Sequence, residues 1–317
     1  MAAIALAGLG ARPGPTEDHR RPSAYRKAGL ILAVIGLMGA TAASIGNLVA
    51  AAGIDAGNGY RETLAWTFGL STFSFGVIKI AIAVILMGII VRLWFRVDAV
   101  RESLHRLRGH PERPTPTGVV KTDWGAATVT DDIPKPLFIH RMARFMWLPM
   151  LAMGAMALTV GLVSSWVWAA QTPDSEAGRQ AAAVTQGVEF LGEALLLSGI
   201  AFLLGTILAG LRDGGGEVQS DLGLPVTTLK MPVTAKVFVA LMMTGMMAGM
   251  AQFVLYLVAL GQAGDPASFS AWSNWLGPFR ELALGLILAG IVLALVTIGN
   301  VLAFQFDRIS SIIRTGK

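Results

Sequence analysis

Residues 282–304 read LALGLILAGIVLALVTIGNVLAF, a run without a single charged side chain. A helix needs about 20 consecutive apolar residues to cross the hydrocarbon core of a bilayer, so this run predicts a membrane span. The whole chain has the same character, because 54% of its 317 residues are hydrophobic and only 14% are charged. Ordinary soluble proteins carry about 25% charged residues. The sequence therefore predicts an integral membrane protein.

Six segments of the chain are long and apolar enough to span a bilayer. Backbone polar groups in lipid must be hydrogen-bonded within the chain, so each segment is predicted to be a helix. The predicted spans are residues 28–53, 64–94, 145–170, 183–211, 234–261 and 276–304. Because short and long connections alternate between them, the predicted fold is all-α, with six transmembrane helices arranged as three helical hairpins.

The basic residues predict the orientation of these helices. Twenty-one of the 25 Lys and Arg residues fall in the two tails and in the second and fourth connections, whereas Arg61, Arg179 and Arg280 fall on the other side. Since positively charged flanks stay in the cytoplasm, both termini are predicted to be cytoplasmic. The expected location is a cell membrane, with a prokaryotic inner membrane favoured. The net charge of +5 then reflects topology and contact with anionic lipid headgroups, and a nucleic-acid partner is not expected.

The spans and their flanks divide the chain into seven predicted segments. These are an N-terminal tail (1–27), hairpin 1 (28–94), a cytoplasmic connection (95–144), hairpin 2 (145–211), a cytoplasmic loop (212–233), hairpin 3 (234–304) and a C-terminal tail (305–317). The apolar start MAAIALAGLG contains no basic n-region and is too short to span, so it is interpreted as part of the tail and not as a signal peptide.

The long cytoplasmic connection contains two different kinds of sequence. VDAVRESLHRLRG (97–109) has apolar residues at helical spacing and predicts an amphipathic helix at the membrane surface. The stretch 110–140 is rich in proline, which argues against a helix there. A functional loop and a flexible tether both fit such a stretch. LRDGGGE (211–217) lacks the lysine of a phosphate-binding loop and is interpreted as a flexible turn.

The methionine-rich stretch LMMTGMMAGM (241–250) allows two interpretations. Thioether sulfur is a soft ligand that can bind Cu(I), but methionine also fills irregular gaps, and glycines four apart let helices approach closely. The outer loops hold no Met, His or Cys that would collect copper, which favours a helix-packing seam. The residues of this predicted seam are Met242, Gly245, Met246, Gly249 and Met250.

Neither a cofactor nor a metal is expected in this chain. Cysteine is absent, and all four histidines lie outside the predicted spans, so the membrane interior offers no pair of axial ligands for haem. No motif for nucleophilic catalysis, metal hydrolysis or phosphate binding is present. The sequence therefore favours a protein that is not an enzyme.

Charged residues inside the spans are the main candidate functional residues, because charge in hydrocarbon is costly and usually faces a partner or a cavity. Lys79 and Glu193 have compatible depths, and Glu189 lies one helical turn from Glu193 on the same face. They are predicted to form a structural ion pair or a proton or ion relay. Arg280 and Glu281 are interpreted as a pair at the outer mouth of the last helix.

Two functions fit these features. The favoured one is a non-catalytic membrane subunit that anchors or scaffolds partners in a larger membrane complex, with the bilayer, other subunits or a second copy as its partners. The alternative is a small-solute or proton-coupled transporter that uses the region of Lys79 and Glu193. Under either function, removing one member of the predicted pair is expected to destabilise the protein, and removing both is expected to recover much of the lost stability.

Overall fold

A computed structural model of the protein describes residues 20–54, 60–105, 118–122, 125–131, 133, 135–172, 174–221 and 223–315. The described chain is predominantly helical. Its helices are α1 (Arg20–Ile54), α2 (Tyr60–His105), α3 (Phe138–Ala169), α4 (Glu176–Asp221), α5 (Val233–Gly261) and α6 (Pro266–Thr315). Its strands are β1 (Gly118–Thr122), β2 (Gly125–Thr130) and β3 (Val226–Leu229).

Among the described residues, five helices are long and apolar enough to cross a membrane, as expected of a multi-pass membrane protein. These helices are α2 to α6, and α1 contributes a shorter apolar stretch, Lys27–Ala43. Consecutive helices pack as α1 on α2, α3 on α4 and α5 on α6. The count of apolar helices by length therefore differs from the six predicted, because the described apolar part of α1 falls short of a full span.

Helix α4 is the centre of the bundle and contacts α2, α3, α5 and α6. Its residues are buried along most of its length, whereas only 28% of the apolar window is buried in each of α3, α5 and α6. Small residues on α4 make this central position possible. A Cβ atom at Gly192 would lie 2.9 Å from the backbone nitrogen of Leu158 on α3, and one at Gly187 would lie 2.8 Å from Tyr256 on α5.

The strands form a three-stranded antiparallel sheet in the order β1-β2-β3, a small addition to the helical fold that was not predicted from the sequence. β1 and β2 belong to the connection between α2 and α3, whereas β3 belongs to the connection between α4 and α5. Each strand is short, and the pairing of β2 with β3 joins positions about 100 residues apart, which hydrophobic periodicity cannot detect. We call this end of the bundle the sheet end and the opposite end the loop end.

The prediction of a flexible turn in residues 211–217 is also wrong, because α4 continues through them to Asp221. Gly214 and Gly216 are buried in this extension, and a Cβ atom at Gly216 would lie 3.3 Å from Val226 of β3. Gln219 fixes the contact: its amide accepts a hydrogen bond from the Thr227 nitrogen (2.9 Å) and donates to the Thr227 oxygen (3.2 Å). Packing against the sheet thus outweighs the low helix propensity of glycine.

Helix α2 continues without a break from Tyr60 to His105 and so includes the first part of the predicted amphipathic segment. The side chains of 92–105 and all of 106–117 lie outside the described residues, so the amphipathic face stays a prediction. The predicted tails are likewise described only from Arg20 onward and up to Thr315.

The loop end is closed by contacts between its two described connections. Arg179 at the start of α4 donates from Nε to the Ala263 oxygen at 2.7 Å, which joins the α3–α4 connection to the α5–α6 connection. Asp265 caps α6 by accepting hydrogen bonds from the Ala267 nitrogen and the Ser268 hydroxyl. These bonds, that of Ser268 first, hold the pKa of Asp265 below its ordinary value.

Candidate functional site

The candidate site is a cluster of charged side chains enclosed by the bundle. Glu193 comes from the central helix α4, and its two carboxylate oxygens bind cations from two other helices. The Lys79 ammonium of α2 lies 2.7 Å from Oε1, and the Arg280 guanidinium of α6 lies 2.6 Å from Oε2. Lys79 is near the centre of the apolar span Ala65–Val91, so the cluster lies deep inside the apolar zone.

The structure thus brings Lys79 and Glu193 together. The sequence had predicted compatible depths for them from the helical rise along each span. It also adds Arg280 as a third member of the cluster. Interpretation of Arg280 as one half of an outer-mouth pair does not match this geometry, since its side chain reaches inward to Glu193. The side chain of Glu281 lies outside those described.

The different position of Arg280 follows from where α6 begins. The predicted last span began at residue 276, but in the structure Asp265 caps the helix and Pro266 occupies its first position. Arg280 therefore lies about 21 Å along α6 from its first residue, at 1.5 Å of rise per residue. The combination of Asp265, Pro266 and Ser268 is a helix-start signal that was present in the sequence and would have placed Arg280 deeper.

Two aromatic rings hold the Arg280 guanidinium on its other sides. Its Cζ lies 5.9 Å from the ring centroid of Phe68 on α2 and 5.9 Å from that of Phe190 on α4. Cation–π contacts strengthen when the cation is removed from water, as it is here. The guanidinium therefore joins α2, α4 and α6 through one ion pair and two ring contacts.

Glu189 lies one turn from Glu193 toward the loop end and is 1% exposed. Space for its side chain exists because Gly161 of α3 and Gly69 of α2 have no Cβ atoms, which would otherwise meet it. Thr72 lies beside the carboxyl, yet neither carboxylate oxygen has a hydrogen bond of normal geometry to the described residues. Glu189 is thus brought to the edge of the cluster without joining its ion pairs.

The charges of the cluster balance when Glu189 is ionised. Glu193 faces two cations, so these three groups carry a surplus positive charge, and Arg280 is close enough to Glu189 to interact with it electrostatically. A buried carboxyl that neutralises a surplus charge but lacks hydrogen bonds is able to take up and release a proton. The described residues contain no group of three or more His, Cys, Asp or Glu side chains arranged to hold a metal ion.

Two described cavities approach the cluster from opposite ends without reaching it. One, of about 140 Å³, lies at the loop end and is lined by residues that include Ala65, Trp168 and Ala182. The other, of about 280 Å³, lies at the sheet end and reaches Ala201 and Met242. None of Lys79, Glu189, Glu193 and Arg280 lines either of these cavities. The cluster is therefore sealed from both in this conformation.

The predicted methionine and glycine seam divides between two helix contacts and the outer surface. Met242 is buried, Gly245 faces Ile287 of α6, and Gly249 faces Ala194 of α4. Met246 is partly buried against the same core. Met250 is 56% exposed and points away from the bundle, so it does not belong to the internal seam. A helix turns 100° per residue, so Met250, eight residues after Met242, lies about 80° round the helix from it and off the contact face.

Comparison with known proteins gives no relative: no family model, no curated protein and no solved structure matches this chain.

Proposed function

We propose that this protein is a non-catalytic integral membrane subunit that scaffolds partners in a membrane complex. In this proposal the chain crosses a prokaryotic inner membrane six times as three helical hairpins, and the sheet end faces the cytoplasm. The observation that carries the proposal is the exposed edge of the sheet. Among the described strands β1 pairs with β2 alone, and its side chains Val119 and Val120 are 60% and 42% exposed.

An exposed strand edge is a template for a further strand, because its free backbone groups can continue the ladder. The opposite edge of the sheet, formed by β3, is already occupied, since β3 lies against the α4 extension and Gln219. The inward face is also occupied, with Ala127, Val129 and Val226 buried. The β1 edge is therefore the part of the sheet where a partner segment is expected to add.

The sealed charge cluster supports the same proposal. A transport site needs access from each side of the membrane in turn, whereas Glu193 is bound by cations from two helices and lines neither described cavity. Such an arrangement is expected to fix α2, α4 and α6 to one another. We interpret it as the internal bond that keeps the scaffold rigid.

The partner edge is tested by adding a charge to it. We expect Val119→Lys to reduce partner association roughly ten-fold, equal to about 1.4 kcal/mol of binding free energy, because lysine on an edge opposes strand addition. The measurement is quantitative mass spectrometry of proteins cross-linked in the membrane and purified with the chain. Ala126→Lys is the matched control, since it adds the same charge at an exposed position of the neighbouring strand. Equal cross-linking of both variants and the wild type would remove β1 as the docking edge.

The proposed topology is tested separately with reporter fusions. Fusions after Arg108 and Lys317 are expected to report the cytoplasm, and fusions after Gly57 and Asp174 the outside, because basic flanks stay in the cytoplasm. A cytoplasmic signal after Asp174 would contradict the proposed orientation. It would also place the sheet and its β1 edge outside the cell.

One observation favours a second function, proton-coupled transport. Glu189 and Thr185 are buried on adjacent turns of α4 toward the loop end, and their side-chain oxygens have no hydrogen-bond partner among the described residues. Together with Glu193, they form a line of polar groups between the loop-end cavity and the centre of the bundle. A proton entering from that side would meet Thr185 first and Glu189 next.

Proton flux into liposomes containing the purified protein distinguishes this function from the scaffold. If the chain carries protons, Glu189→Gln is expected to reduce the flux to that of empty liposomes, because the amide cannot take up the proton. Glu176→Gln, which removes an exposed carboxylate at the start of the same helix, is expected to leave the flux unchanged. Under the favoured proposal, the wild-type protein carries no flux above empty liposomes.

A further inference from the structure

The cavity at the sheet end has properties of a lipid site that the charge cluster does not share. It is a partly open space of about 280 Å³ between α3, α4, α5, α6 and the sheet. Its lining contains three residues that carry or can carry positive charge, His140, Arg212 and Lys230, and none of its described lining residues is acidic. An anion is therefore the kind of group that its polar end would accept.

The basic residues occupy one end of the cavity and apolar side chains form the rest. Along α4, the lining runs from Arg212 to Ala201, and at 1.5 Å per residue this is a depth of about 16 Å. The inner part of the cavity is lined by apolar residues of α4 and α5, among them Phe202, Phe238 and Met242. The cavity thus has a charged end and an apolar end, which matches the two parts of an amphiphilic ligand.

Arg212 is not used by the neighbouring ion pair. Its neighbour Asp213 binds Arg144 of α3 at 2.6 Å, and Arg212 Nη1 has no hydrogen-bond partner among the described residues. His140, whose Nδ1 also has none, lies at the start of α3 on the other wall. The Arg212 guanidinium and a ring N–H of His140, on facing walls, can donate to the oxygens of one headgroup from both sides.

We propose that this cavity binds one anionic phospholipid, with its phosphate at His140, Arg212 and Lys230 and part of one acyl chain along Phe238 and Met242. Basic pockets between transmembrane helices commonly bind such headgroups. The cavity is too small for a whole lipid, so the second chain remains in the bilayer. Burial of the chain and charge pairing at the phosphate act together, which distinguishes this site from the ring of lipids around any membrane protein.

The site is tested with the full chain, delipidated in mild detergent and then mixed with defined lipids. We expect native mass spectrometry to show one retained phosphatidylglycerol, with retention at least about ten-fold above phosphatidylcholine, a difference of about 1.4 kcal/mol. Glycerol phosphate, which has the charge without the chains, is expected not to compete at the same concentration. Competition by glycerol phosphate at that concentration would replace the lipid with a soluble phosphate ligand and overturn the proposal.

Two variants change the two ends of the cavity separately. Arg212→Gln with Lys230→Gln is expected to abolish the preference for phosphatidylglycerol. Phe238→Trp narrows the apolar end and is expected to lower retention of the lipid while all positive charges remain.

The matched control is Arg141→Gln with Lys236→Gln, which removes two exposed basic residues at the same end that do not line the cavity. It is expected to keep the preference. Equal loss in the control, or equal retention of both lipids by the wild type, would show general surface attraction and overturn the site. If the Arg212 and Lys230 variant does not fold, Phe238→Trp and the wild-type lipid comparison still decide the outcome.

Discussion

Glu193→Gln is expected to cause the largest loss of stability of any single substitution in this chain. The change leaves the Lys79 ammonium and the Arg280 guanidinium without their shared carboxylate inside the apolar zone. Breaking one buried pair by removing a partner costs about 3–5 kcal/mol, because the other charge stays buried and unpaired. Here two charges are left, so the loss is expected at the upper end of that range. The measurement is the free energy of unfolding or the Tm of the protein in mild detergent.

The three members of the cluster are expected to differ in a fixed order. Lys79→Met leaves Glu193 paired with Arg280 and is expected to cost the least. Arg280→Met leaves Glu193 paired with Lys79 but also removes the contacts with Phe68 and Phe190, so it is expected to cost more. The control is Glu176→Gln, which removes an exposed carboxylate from α4, the helix that also carries Glu193. It is expected to have no measurable effect on stability.

Combined substitutions test whether Arg280 belongs to the cluster. From the sequence alone, replacing Lys79 and Glu193 together is expected to recover much of the lost stability. With Arg280 bound to the same carboxylate, that double variant still leaves one unpaired cation, so its recovery is expected to be partial. The triple variant Lys79→Met, Glu193→Leu and Arg280→Met removes all three charges and is expected to approach the wild type. Full recovery by the double variant would contradict the Arg280 contact.

The second large effect is expected at the crossing of α3 and α4. A Cβ atom at Gly154 would lie 2.9 Å from the backbone nitrogen of Leu196, and one at Gly192 would lie 2.9 Å from that of Leu158. The obstacle in each case is backbone, which cannot rotate away as a side chain can. Gly192→Ala is therefore expected to separate the helices and to lower stability by about 1–3 kcal/mol, in spite of alanine's better helix propensity.

A glycine elsewhere in α4 provides a control of opposite sign. Gly210 lies in the same helix, and a Cβ atom there would meet nothing within 4 Å. Gly210→Ala is expected to raise stability by up to about 1 kcal/mol, because alanine restricts the unfolded chain and favours the helix. If the two substitutions shift the Tm in the same direction, close packing at Gly192 is not what limits stability.

The methionine seam supplies a comparison for the same experiment. Met246→Leu keeps the side-chain volume at the α5 contact and is expected to cost less than about 1.5 kcal/mol. Glycine and methionine substitutions in one series thus separate the need for space between helices from the need for a particular side chain. A larger loss for Met246→Leu than for Gly192→Ala would contradict packing as the role of this seam.

The sequence by itself determined the class of the protein and much of its helical content. Apolar runs such as residues 282–304 must form helices in lipid, because no other local structure satisfies their backbone hydrogen bonds. The same reasoning selected Lys79, Glu189 and Glu193, since each charge in an apolar run needs compensation. The helical rise also gave Lys79 and Glu193 compatible depths, and the structure brings their side chains together at 2.7 Å.

Only the tertiary structure decided which charges share a partner, where the helices end and that a sheet exists. Arg280 joins Glu193 because α2, α4 and α6 converge at that carboxylate, which residue spacing along one helix cannot reveal. Helix α4 continues through residues 214–216, all glycine, because β3 packs against Gly216 and Gln219 forms hydrogen bonds with Thr227. β2 pairs with β3 although the two strands are about 100 residues apart in the sequence. Local patterns record what a segment can bury, whereas these features depend on contacts between segments that are distant in the sequence.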